Sequence, residues 1–285
     1  MNLYVTNAGE DSISVVDPDS MKEAGRIYLR GEKPKGPRRL LYSKGTLCCA
    51  NAYSNSLCFL QEGRNVEFLV GASPTALCFC GERLLVCCSE SDSVWVFGER
   101  EQIVSIHAFP CSLEPYEGGF VSANMQSGNV SVFSEELKKK YDIAVDGMPM
   151  YALPDGEGRF FCSHTVEYAE HGFLSIFAEG RLIKRLAVGS MPTTLAVLPN
   201  KKMLVANTGN STLCLVDMQA LECVRWIHVG YMPDDIVFWE EKNRVFVSSM
   251  MEDSVYVLDG EGDVLGKIPV GKEPRGLVLG GSIMA

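Results

Sequence analysis

Between His164 and His171 the chain reads HTVEYAEH, placing two of its four histidines and two carboxylates within eight residues. Imidazole beside carboxylate can form a general base of tuned pKa, or supply two to three ligands to a divalent metal. The spacing H-x-x-E-x-x-x-H corresponds to no established metal motif. His164, Glu167 and His171 are therefore the candidate catalytic set. The alternative is a decorated surface loop that also carries Tyr168 and Glu170.

A second set follows a series of prolines: Arg38, Arg39, Thr75, Tyr151, Thr193, Thr194, Asp234, Asp235 and Arg275. Arginine presents a planar fork of donors that suits carboxylate or phosphate. If the segments holding these residues converge on one axis, they form a ring able to hold a small anion or polar metabolite. Arg38, Arg39, Tyr151, Asp234, Asp235 and Arg275 are the candidate ligand-binding residues. The competing expectation is that the arginines and aspartates pair with one another.

Other chemistry is poorly supported. The 285 residues contain no Walker loop, no G-x-G-x-x-G and no G-x-S-x-G. Eleven cysteines include none in C-x-x-C spacing, and most stand in short apolar runs, where free Cys behaves as a small hydrophobe. Unpaired thiols without an N-terminal secretory leader point to a reducing compartment, hence the cytoplasm. A sharper alternative puts Cys78 and Cys80 beside Cys87 and Cys88 as a metal or redox cluster. The formal charge of −10 disfavours nucleic acid, whose phosphates are bound by clustered basic groups. Lys138, Lys139 and Lys140 follow Glu135 and Glu136 and are expected on a solvated hairpin.

The elements that must position these residues follow from an internal repeat. A proline, two variable residues and an apolar strand recur at Pro37, Pro74, Pro110, Pro149, Pro192, Pro233 and Pro274, spaced 36 to 43 residues apart. Gly stands three places before four of them, at Gly71, Gly189, Gly230 and Gly271. There it is expected to relieve strain in a turn while Pro sets φ. Each unit continues with a strand ending in a polar residue: Asn7, Asn51, Cys88, Asn124, His164, Asn207 or Ser249. Asn in that column is expected to tie down the next turn. His164 breaks the column, and its following loop is about four residues longer than its counterparts.

A third strand such as SISVVD or SVYVLD follows, and a fourth leads back to the next proline. No segment has a helical period. Four strands in each of seven units predict an all-β, seven-bladed propeller, one domain over residues 1–285. Its ring would close by pairing the Leu3–Asn7 segment with Pro274–Leu279.

The letters YVTN stand at Tyr4 to Asn7, and degenerate copies span the chain. These residues resemble the YVTN-repeat propellers, the group that includes YncE-like proteins. Relatives of that shape include surface-layer repeats, proteins reported to bind DNA, lactone hydrolases and a streptogramin lyase. Fold alone does not choose among them. The expectation is a cytoplasmic, monomeric binding or scaffold module that recognises a protein partner or small polar ligand at the channel mouth. It is expected to need no cofactor, nucleic acid or membrane. The alternative is a lactonase- or lyase-type enzyme using the His/Glu loop, with a divalent metal possible.

Overall fold

A computed structural model describes residues 1–62 and 64–283. Seven four-stranded antiparallel sheets make up the fold, and the described residues contain no helix beyond three short 3-10 turns. Six blades are consecutive in sequence. The seventh joins Pro274–Gly280 to Asn2–Asn7, Ser12–Asp17 and Lys22–Tyr28, in that order. Leu3 pairs with Leu279 and Val5 with Leu277 across this seam, so the ring closes as the repeat predicts.

The proline-led strands are innermost. They run Pro37–Ser43, Pro74–Cys80, Pro110–Tyr116, Met148–Pro154, Pro192–Leu198, Pro233–Trp239 and Pro274–Gly280, each packing on the next around the circle. Second and third strands are buried on both sides, because neighbouring blades cover both faces of each sheet. That burial is why they read as unbroken apolar runs and not as alternations. Leu174 and Ile176 of one blade thus share a cluster with Met203, Val205 and Val216 of the next. Fourth strands such as Arg64–Leu69 lie exposed on the rim, and Lys138 to Lys140 fall on such a hairpin, as expected.

Antiparallel alternation puts the starts of the innermost strands and the turns between second and third strands on one side, the proline face. Gly189 and Gly271 there do not relieve strain, since neither has a positive φ. A Cβ on Gly189 would sit 2.6 Å from the Cβ of Asn207, and one on Gly271 2.5 Å from the Cγ of Asn7. These glycines permit close approach to the polar column. The left-handed conformation falls on the residue before proline instead, as at Ser73, Met191 and Glu273.

Nine cysteines are free and, apart from the half-buried Cys111, buried; Cys214, which its apolar run would make a free thiol, instead forms a disulfide with Cys223. Burial pushes the Cys58 thiol up to about 11 and the Cys88 thiol up to about 12, so both stay protonated and pack as hydrophobes. Cys78 pairs with Leu85 and Cys80 with Arg83, while Cys87 opposes Ala76. Among the described residues no group of three or more His, Cys, Asp or Glu side chains could hold a metal. No helix among them is long and apolar enough to cross a membrane.

Candidate functional site

Just after its proline, every innermost strand breaks register with its neighbour. Pro37 opposes Asn51 while Arg39 already opposes Ala50, and the break recurs from Pro74/Ala76 round to Asn7/Val5 at the seam. A β-bulge leaves the extra residue outside the ladder and re-aims its side chain. The residue after proline, once per blade, is thereby turned toward the axis. Arg38, Thr75, Cys111, Met150, Thr193 and Asp234 line a small cavity of about 50 Å³ at the proline-face mouth, and Arg275 completes the ring. Of the lining, sequence reasoning found Arg38, Arg39, Thr75, Tyr151, Thr193, Thr194 and Asp234, and Arg275 joins them through Asp234, but it missed Cys111 and Met150. Their position after a repeat proline was the signal that would have found them.

The structure brings the charged candidates together. Arg39 Nη1 lies 2.5 Å from Asp235 Oδ2, and Arg275 Nη1 lies 3.8 Å from Asp234 Oδ1. Burial works against charge on Arg39, but Asp235, Tyr151 and Asp234 together outweigh it and hold the guanidinium above its ordinary pKa. Asp235 also accepts hydrogen bonds from the backbone N–H of Ile236 at 3.0 Å and of Leu277 at 2.9 Å. One layer deeper, Tyr151 donates to Glu114, whose carboxyl is raised by burial. The pairing expected between arginines and aspartates therefore occurs, with one exception.

Arg38 is that exception. Among the described residues no hydrogen bond or ion pair engages its guanidinium; burial lowers its pKa most, Asp234 opposes that, and Arg275 and Arg39 reinforce it. The neighbouring hydroxyls are already engaged: Thr75 with Ser89 at 2.6 Å, Thr193 with Thr208 at 3.0 Å, and Thr194 donating to the Asp234 carbonyl at 2.7 Å. Asp235 is paired with Arg39 and Asp234 with Arg275, so neither aspartate is left for Arg38 alone.

The His164 set is not gathered into one centre. His164 is fully buried within its blade, its Nε2 2.8 Å from Ser175 Oγ and its ring stacked on Phe173. Asn7 Nδ2 donates to Ser14 and Asn124 Nδ2 to Ser131, each seven residues on and both at 2.9 Å. His164 makes the same clamp eleven residues on, the four-residue insertion accounting for the difference. Glu167 and His171 lie exposed on that insertion.

Burial, reinforced by Arg185, lowers the His164 imidazole to about 4. Unfolded, it titrates near 6.5, so between those values only the unfolded chain takes up the proton. The contribution is complete above pH 6.5 and is lost as pH falls through 4. Between pH 7.5 and 4.5 this loss is about 2–3 kcal/mol. His164→Asn should lose less stability over that range in urea titrations. Equal losses in the two proteins would show that His164 is not the group responsible.

The insertion has another product. Val166, Ala169 and His171 form one wall of a chamber of about 400 Å³ on the proline face, whose other walls include Met125, Met148, Met150 and Met191. Met150 and Thr193 belong to both this chamber and the mouth cavity, so the two adjoin. Tyr53, Tyr168, Met191, Tyr231 and Met251, large apolar side chains exposed outside the strands, lie on this face. A larger cavity of about 920 Å³ opens on the opposite face, between exposed charged side chains including Glu82, Arg100 and Glu136. Its carboxylates stand in solvent, whereas the proline face sets a half-buried guanidinium beside an apolar chamber, and that face is the candidate site.

No protein-family model matches the chain, and no curated protein matches it. Solved structures do. One is a functionally unknown protein from Desulfotomaculum acetoxidans, 11% identical, with TM-score 0.80 over 97% of this chain and 98% of that one. Another is virginiamycin B lyase from Staphylococcus aureus, 9% identical, with TM-score 0.73 over 88% and 91%. A third is the WD40 β-propeller domain of Doa1, 14% identical, with TM-score 0.71 over 86% of each chain. At these identities the likeness is one of fold, shared by an enzyme and a WD40 domain alike.

Proposed function

We propose that this chain is a binding propeller that holds a small anionic ligand at the proline-face mouth of its channel. Arg38 carries the reading: a half-buried guanidinium with no hydrogen bond or ion pair among the described residues, beside a cavity ringed by polar side chains. Burying part of a charge is unfavourable unless a counter-charge meets it, and Asp234 is shared with Arg275. An anion in the cavity completes the set. The exposed tyrosines and methionines around the mouth suit recognition of a partner as well, since exposed apolar patches mark interaction surfaces.

A reducing cytoplasmic setting belongs to the same reading, supported by nine free thiols. So does the YVTN-repeat kinship, supported by the sequence pattern. A lyase-type activity would have to run without His164 as its base, because that imidazole is spent on Ser175 inside the blade.

Acetate and phosphate, titrated by calorimetry at low salt, test the proposal. At least one should bind saturably, and Arg38→Ala should weaken it about tenfold or more, the loss of one charge-assisted hydrogen bond or two. Unchanged anion binding in Arg38→Ala would refute it.

A further inference from the structure

We infer that the ligand is a small organic carboxylate with an apolar body, its head on Arg38 and its body in the methionine chamber. This rests on the anion-binding reading above and names the substrate class of that same site. The mouth cavity is too small to take more than a headgroup: its volume is about 50 Å³ against about 400 Å³ for the chamber. The chamber lies within the range of small-molecule sites, roughly 300–1,000 Å³. Met150 and Thr193 form part of both walls, so a headgroup held in the mouth can extend its body across them into the chamber.

The chemistry of the walls differs on the two sides of that border. Toward the axis stand Arg38, Asp234 shared with Arg275, and threonine hydroxyls already engaged with one another or with backbone, and Met150 stands on the border. Away from it stand the thioethers of Met125, Met148 and Met191, which are unbranched, polarizable and able to repack around an apolar shape. His171 is the ionisable side chain among the chamber walls. An inorganic anion would leave the chamber unused, and a neutral apolar molecule would leave Arg38 without a counter-charge. A molecule with one carboxylate and one apolar end satisfies both.

The chamber is also specific to one place in the ring. Its methionines come from three successive blades, and its outer wall is the insertion carried by the blade of Met148–Pro154. The sevenfold repeat does not require that insertion, since the His164 clamp is made across it just as asparagine makes it elsewhere. The wall it supplies gives the extra residues a role.

Calorimetric titration of the whole chain with octanoate, acetate and 1-octanol tests the inference. Octanoate should bind at least tenfold tighter than acetate and at least tenfold tighter than octanol. Arg38→Gln should erase the advantage over octanol. Met148→Ser combined with Met191→Ser, both exposed and so not needed for folding, should erase the advantage over acetate. If acetate binds through Arg38 and octanoate binds no tighter, the anion site stands and the amphiphilic ligand is wrong. If neither acid binds, both fall. If a short peptide ending in leucine binds tenfold tighter than octanoate, the occupant is a chain terminus and the small-acid assignment is overturned.

Discussion

Deleting residues 274–285 should leave no folded monomer. Pro274–Gly280 is the innermost strand of the blade that Asn2–Asn7 continues, and it supplies half of the seam. Leu277 is buried in a cluster with Leu3, Val5, Phe246 and Val255, which joins the first and last parts of the chain. Thr6 Oγ1 accepts from the N–H of Gly276 at 2.8 Å, and Tyr4 donates to the carbonyl of Gly281 at 2.7 Å. Removing the strand uncovers a sheet edge and opens apolar faces on two blades at once. Neither blade can bury those faces alone. The loss exceeds a marginal folding stability of about 5–15 kcal/mol. Size-exclusion chromatography and circular dichroism should show aggregate or unfolded chain, with structure recovered on adding a peptide of residues 274–283. A truncated monomer with a cooperative melt would mean that ring closure is not what holds the fold together.

Asp235→Ala should destabilise the chain by about 3–5 kcal/mol in urea denaturation, the usual result of removing one partner of a buried ion pair. The carboxylate neutralises Arg39 at 2.5 Å and accepts from Leu277 N–H on the adjacent innermost strand. Its loss strands a guanidinium beside the Tyr151–Glu114 pair and leaves a buried N–H unmet. The double change Arg39→Met with Asp235→Leu removes both charges and should recover much of the deficit. A single mutant within about 1 kcal/mol of the parent would show the pair to be incidental.

The repeat made the architecture legible because each blade solves the same packing problem with the same residues. Pro37, Pro74 and their successors announce the innermost strand, and Asn7, Asn51, Asn124 and Asn207 announce the turn that follows. The seam followed from which unit began and which ended the chain. The arginine–aspartate ring was half legible: its members were named from their distance to proline, but the pairing of Arg39 with Asp235 depends on how the closed ring sets Pro37–Ser43 against Pro233–Trp239. The chamber was not legible as a whole. Met148 and Met191 each precede a repeat proline and Met150 follows one, but nothing in the repeat says that the insertion after His164 walls them in with Met125. His164 was misleading for a related reason. It stands out because it departs from asparagine, yet its ring nitrogen reaches Ser175 and performs asparagine's task.

The bulges have a consequence for how such a protein can diversify. Because the residue after each proline lies outside the ladder, its identity is uncoupled from the backbone bonding that keeps the blades upright. Seven such positions, one per blade, can then be exchanged for other side chains while the scaffold stays intact. A combinatorial library varied at those positions alone would search new specificities on an unaltered frame.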